Sequence, residues 1–164
     1  MRTKKRYTKK QRKQRKAEII RNRRLCKRYP FLIPRQVWTG KVVWKVFHDK
    51  YTYPYCYTEL DDMEDGWRAK FGIQMCEEIR QELVKYNFLY DYRILQIKEK
   101  FGGLRWYDCG IPKGSKIWDI IDKYALISRQ TCLRCGAPAE IIDLNGWLTP
   151  LCDKCQEKTN GYEW

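Results

Sequence analysis

Thr131-Cys132-Leu133-Arg134-Cys135-Gly136 and, with sixteen residues between Cys135 and Cys152, Cys152-Asp153-Lys154-Cys155 decide how the C-terminal part of this 164-residue chain folds. Each C-x2-C spacing lets both thiolates of one tight turn point at a single ion. Four thiolates then complete the tetrahedral shell that structural zinc prefers. Gly136 suits such a knuckle, because a residue with positive φ turns backbone amides toward the sulfurs. Between the pairs, Glu140-Ile141-Ile142-Asp143-Leu144 and Trp147-Leu148-Thr149-Pro150-Leu151 flank Asn145-Gly146, the dipeptide that most favours a type I′ hairpin turn. Two knuckles joined by a hairpin predict a zinc ribbon over residues 129–164, with one Zn2+ held by Cys132, Cys135, Cys152 and Cys155. The competing reading is a pair of disulfides or four buried thiols. No N-terminal stretch resembles a signal peptide, so the thiols are expected to stay reduced and to bind metal. Four cysteines close the shell and leave no position for an activated water, which makes the expected ion structural.

Upstream of the ribbon the charge is unevenly spread. The formal net charge is +14, and residues 1–28 hold 15 of the 34 Lys/Arg with one acid, Glu18. The remainder carries 19 basic and 19 acidic side chains and is neutral. The excess therefore sits in an N-terminal arm, residues 1–28. Its cations Lys4, Lys5, Arg6, Lys9, Lys10, Arg12, Lys13, Arg15, Lys16, Arg21, Arg23 and Arg24 are expected to hold a polyanion by counterion release. Nucleic acid is the first candidate ligand, and an acidic protein surface or a simple solubility tail are the others. No aromatic residue lies between Tyr7 and Tyr29, so the arm is expected to touch phosphates and to stack no bases.

The arm is rich in helix formers and lacks Gly and Pro from Thr8 to Lys27. Like charges spaced i,i+4 oppose an isolated helix, so it is expected to order only against the body or a partner. Ala17, Ile20, Arg24 and Lys27 share one helical face of little apolar content. In the body, residues 29–128, the alternation of Trp38, Val42, Trp44 and Val46 predicts a strand or hairpin arm over residues 36–47. Tyr51, Tyr53, Tyr55 and Tyr57 precede an acidic loop of Glu59, Asp61, Asp62, Glu64 and Asp65. That region reads either as a partner-binding surface or as rings packed on the core beside solvated acids. Phe71, Met75, Ile79 and Leu83 mark an amphipathic helix over residues 67–86. Residues 92–98 and 104–109 read as strands around Phe101-Gly102-Gly103, and Ser115 is placed to cap a second helix with the stripe Ile117, Ile120, Ile121 and Tyr124. The expected class is α+β: a small mixed domain with a β-hairpin and two main helices, a basic helical arm and a C-terminal zinc ribbon.

Enzymatic signals are weak. His48 is the single histidine, and with Asp49 and Cys56 it does not resemble a nucleophile turn. Glu77, Glu82, Asp91 and Lys98 are the loose makings of a metal nuclease. Gly102-Gly103 lacks the other residues of a phosphate-binding loop. A binding protein is expected rather than an enzyme. No apolar run reaches the ~20 residues needed to span a bilayer.

Several segments together resemble a known family. They are Gly66-Trp67, Phe71-Gly72 and Cys76-Glu77-Glu78-Ile79; then Gln96-Ile97-Lys98-Glu99-Lys100-Phe101-Gly102-Gly103-Leu104-Arg105-Trp106-Tyr107; then Ser128, Thr131-Cys132, Cys135-Gly136, Gly146-Trp147 and the second cysteine pair. Over residues 66–155 the chain resembles small zinc-binding proteins of phages and prophages. The resemblance implies a mobile-element protein acting in the cytoplasm of a bacterial host. By analogy it implies an anti-CRISPR inhibitor: a protein that binds an RNA-guided nuclease of the host and blocks its engagement of DNA or guide RNA. The alternative is direct DNA or RNA binding through the arm.

Overall fold

A computed structural model describes residues 8–44 and 53–160. The fold is mixed α+β, as the periodicities predict. Thr8 starts α1 (Lys9–Arg28) with a capping box: its hydroxyl accepts from the Gln11 amide at 3.2 Å, and the Gln11 side chain accepts from the Thr8 amide at 2.9 Å. The helix stops before Pro30, which opens a short 3-10 turn (Pro30–Leu32). One stripe of α1 docks on the body: Asn22 and Cys26 are buried, with Arg15, Ile19 and Leu25 half-buried beside them. The Asn22 amide donates to the Tyr55 carbonyl at 2.9 Å. Ala17, Ile20, Arg24 and Lys27 lie on the solvent side. Docking on the body thus offsets the repulsion along this helix.

Of the strand or hairpin arm expected over residues 36–47, the described part forms no regular strand, but the chain does turn at Thr39-Gly40. Arg35 and Val42 make a single antiparallel bridge around a turn at Gly40 (φ 65°), and Val37, Trp38 and Val42 are exposed. Residues 45–47, with His48, Asp49 and Tyr51, lie outside the described residues. The acidic stretch is likewise structured: Glu59–Asp62 is a 3-10 turn, and α2 (Asp65–Trp67) follows directly. From α2 the chain passes through a π turn (Arg68–Gly72) into α3 (Ile73–Lys85). This continuous helical run buries Trp67, Phe71, Met75, Cys76, Ile79 and Leu83.

β1 (Ile94–Lys100) and β2 (Gly103–Asp108) form an antiparallel hairpin. A bulge between Ile94 and Gln96 lets both Ile94 and Ile97 point inward, Ile97 opposite Trp106 and Ile94 opposite Asp108, with Leu104 of β2 buried beside them. α4 (Ile117–Ser128) covers the same core through Ile117, Ile121 and Tyr124. Its cap differs from the expectation. The Ser115 hydroxyl is buried without a partner, and Glu82 of α3 instead accepts from the Lys116 amide at 3.0 Å. A second hairpin, β3 (Glu140–Leu144) and β4 (Trp147–Leu151), is followed by α5 (Asp153–Asn160), the last described element. Asn145 and Gly146 both have positive φ, 54° and 88°, as a type I′ turn requires. Among the described residues no helix is long and apolar enough to cross a membrane.

Candidate metal centre

The four cysteines meet at one point. Their sulfurs all lie within 4.8 Å of one another, and Cys135 Sγ is 3.5 Å from Cys152 Sγ. A tetrahedral ion with metal–sulfur bonds of ~2.3 Å needs sulfurs ~3.8 Å apart, so the cluster has the size of a four-thiolate metal site. Backbone bonds set it up. In the first knuckle the Cys132 amide donates to Ala137 O at 2.8 Å and the Gly136 amide to Cys132 O at 2.9 Å, with Gly136 at φ 76°. In the second, the Cys155 amide donates to Cys152 O at 2.9 Å as α5 begins. The Leu133 amide reaches Pro150 O at 3.0 Å and fastens the first knuckle to β4. Cys132 and Cys155 are buried, Cys152 is half-buried and Cys135 is exposed.

The electrostatics favour a cation. Burial works against a charged Cys132, but amides of Cys152, Cys135 and Arg134 aimed at its sulfur outweigh burial and bring that thiol down to about 6. Burial and the neighbouring thiols push Cys155 up to about 12. Four converging thiols cannot all ionise alone, and a bound cation removes that conflict.

The site is fastened to the body at Gly66-Trp67. The Gly66 amide donates to Leu133 O at 2.7 Å, and the Trp67 indole Nε1–H, fully buried, donates to Thr131 O at 2.7 Å. A Cβ on Gly66 would overlap Cys132 O and sit 2.6 Å from the Gly136 nitrogen and 2.8 Å from that of Cys135. The first knuckle therefore rests directly on the backbone of α2. These contacts are absent from the spacing argument; the adjacent Gly-Trp pair is the local sign of them, a residue without a side chain beside one with a large anchor.

Tyr53, Tyr55 and Asp61 of the Tyr-rich and acidic region are turned against α1. Asp61 is the hub: its Oδ2 accepts from the Thr58 amide and hydroxyl, both at 2.8 Å, and its Oδ1 accepts from Arg68 Nη1 at 3.0 Å and Arg21 Nη2 at 3.1 Å. Glu59 is buried, and its carboxyl is pushed up to about 7 by burial and by Asp62. Asp62 accepts from the Tyr57 hydroxyl, while Asp65 pairs with Arg68. Glu64 is half-buried, and burial followed by the charges of Glu99 and Asp65 raises its carboxyl. Tyr53 and Tyr55 lie under Arg15 and Arg23, with guanidinium-to-ring distances of 5.0 and 5.3 Å. Tyr51 lies outside the described residues. Asp61, Asp62 and Asp65 are thus bonded to the molecule's own cations and hydroxyls, while Asp62 and Asp65 stay exposed to solvent.

On α1, Lys9, Lys10, Arg12, Lys13, Lys16, Arg21, Arg23 and Arg24 are exposed and Arg15 is half-buried; Lys4, Lys5 and Arg6 lie outside the described residues. The loose nuclease set is not assembled. Glu77 binds Arg80 and Arg28, Glu82 binds Lys85 and caps α4, and Lys98 lies over the Tyr107 ring. Cys56 is buried, and its thiol donates to Trp44 O at 3.2 Å. Among the described residues, the four-cysteine group is the one convergence of three or more side chains able to hold a metal. No family model, curated protein or solved structure matches the chain.

Proposed function

We propose that this is a zinc-stapled nucleic-acid-binding protein in which α1 lies along the phosphate backbone. The observation that carries the reading is the outer side of α1. There Lys9, Lys10, Lys13, Lys16, Arg24 and Lys27 are exposed and have no acidic partner among the described residues, while the helix itself is anchored through Asn22 and Cys26. Such a helix offers cations at fixed spacing, and past Arg28 the chain is neutral, so the long-range field is that of the arm. The ion is taken to be Zn2+, because four soft thiolates in a closed tetrahedral shell suit zinc and leave it a structural role. The test is duplex binding by fluorescence anisotropy across salt concentrations. Replacing Lys9, Lys10, Lys13 and Lys16 by Gln removes four cations, so the slope of log affinity against log salt should fall by roughly 3 to 4. An unchanged slope would refute the assignment.

A second reading, docking on a host protein such as an RNA-guided nuclease, draws support from Trp38. This side chain is 91% exposed at the tip of the turn around Gly40, and a tryptophan held in water is a natural interface anchor. Under that reading a complex with the nuclease survives the four α1 substitutions and is weakened by Trp38→Ala.

A further inference from the structure

The Lys-Glu-Lys-Phe-Gly-Gly-Leu-Arg-Trp-Tyr hairpin has an outer face that neither the core nor α1 explains. The β1–β2 register sets Lys98 directly opposite Arg105, and Lys100 follows on the same side opposite Gly103. Like charges opposed across strands destabilise a hairpin, and among the described residues no acidic side chain pairs with Lys98, Lys100 or Arg105. A third element adds another cation. A Cβ on Gly103 would lie 3.3 Å from Arg105 Nη1 and 3.6 Å from Arg129 Nη1, so the two guanidinium groups close together over the buried glycine. Both heads are held: Arg105 Nη1 donates to Leu104 O and Arg129 Nη1 to Phe101 O, each at 3.1 Å. Each keeps its remaining N–H groups for a ligand.

Two aromatic rings share this face. Tyr107 is 42% exposed and Phe101 62% exposed, and the ammonium groups of Lys98 and Lys100 stand 5.3 and 5.2 Å from their ring centres. Concentrated cations call for an anion. Exposed rings beside those cations call for flat, apolar partners. Single-stranded nucleic acid supplies both, because its bases are free to stack while its backbone carries the charge.

We propose that the outer face of β1–β2 is a binding site for single-stranded nucleic acid, with bases stacked on Tyr107 and Phe101 and phosphates held by Lys98, Lys100, Arg105 and Arg129. The ligand class is that of the α1 reading, while the surface is separate and its evidence independent. A duplex keeps its bases stacked inside and gains nothing from these rings, so the site discriminates between the two forms.

The experiment uses the full chain and two fluorescent probes, a 15-nucleotide oligo-dT and a 15-base-pair duplex. Three variants are compared with the parent: Arg105→Gln with Tyr107→Leu, Arg129→Gln with Phe101→Asn, and the four-lysine α1 variant. Metal content and circular dichroism establish that each is folded, and Asn suits the positive φ of 53° at Phe101. Each hairpin variant should lose at least tenfold in oligo-dT affinity and change duplex affinity by less than twofold. If folded hairpin variants bind oligo-dT as the parent does, this proposal is overturned, while the α1 reading stands or falls on its salt slope. Equal losses for both probes would also overturn it, by reducing the hairpin to general charge. If the hairpin variants lose oligo-dT binding while the α1 variant keeps its duplex affinity and slope, the hairpin site holds and the α1 reading fails.

Discussion

Gly66→Ala is the sharpest test of how the metal centre is joined to the rest of the molecule. The added methyl would meet Cys132 O, the Gly136 nitrogen at 2.6 Å and the Cys135 nitrogen at 2.8 Å. All three are backbone atoms of the first knuckle, so no side chain can rotate out of the way. Ordinary contact with the nearest of these, Cys132 O, requires the knuckle to retreat by roughly 1 Å. That displacement takes the Gly66 amide out of hydrogen-bonding range of Leu133 O, now 2.7 Å away, and strains the Trp67 bond to Thr131 O, also 2.7 Å. Leaving two buried pairs unmade costs about 1 to 3 kcal/mol each, and overpacking adds about 1 to 3 kcal/mol. Partial relaxation brings the expected loss to about 3 to 6 kcal/mol. Urea unfolding at saturating Zn2+, followed by the emission of buried tryptophan, measures it, and chelator competition should show zinc held at least tenfold more weakly. Lys70→Ala, at an exposed neighbouring site, should change neither. A Gly66→Ala protein within about 1 kcal/mol of the parent and with the same zinc affinity would refute the docking argument.

Replacing any one of Cys132, Cys135, Cys152 or Cys155 by Ser should lower zinc content from one ion per chain and destabilise the ribbon, which elemental analysis and circular dichroism would read; full zinc in all four variants would exclude the site. Glu59 offers a pH test. Its folded value of about 7 lies above the unfolded value of 4.5, so its ionisation opposes folding as pH rises through that window. Glu59→Gln should therefore match the parent at pH 4 and exceed it by about 3 kcal/mol at pH 8, and an equal difference at both pH values would contradict this. Asp61→Asn should cost about 2 kcal/mol in urea, because it weakens bonds to Arg21, Arg68 and Thr58 together; a loss below about 0.5 kcal/mol would mean the hub is decorative.

The parts legible in the sequence are those whose cause is local. The four-cysteine cluster follows from two fixed spacings and an Asn-Gly turn, and α3, the first hairpin and α4 follow from periodic apolar residues. What was not legible depends on partners far along the chain. The acids at positions 59–65 read as a loop because their charge suggests water, yet Arg21 lies 40 residues from Asp61 and meets it only after α1 docks. Ser115 has the chemistry of a helix cap, but Glu82 of α3 reaches the Lys116 amide from 34 residues away. Trp38 and Val42 alternate as a strand would, and alternation alone cannot tell a packed apolar side chain from one standing in water. The docked stripe of α1 is signalled by Asn22 and Cys26, neither of which stands out in a run of cations.

The bulge in β1 gives this strand an unusual tolerance to change in length. In a regular strand, deleting one residue turns every side chain on one side of the cut to the opposite face. Here Leu95 and Gln96 both face outward between the inward Ile94 and Ile97, so β1 carries one residue more than its pairing needs. Removing Leu95 would leave Ile94 and Ile97 on the core side and convert the irregular hairpin into an evenly alternating one. Removing Lys98 instead would reverse the parity between the bulge and the turn and expel Ile97. Two deletions three positions apart thus have opposite meanings for the same core, and the strand is readable in two lengths from its N-terminal side only.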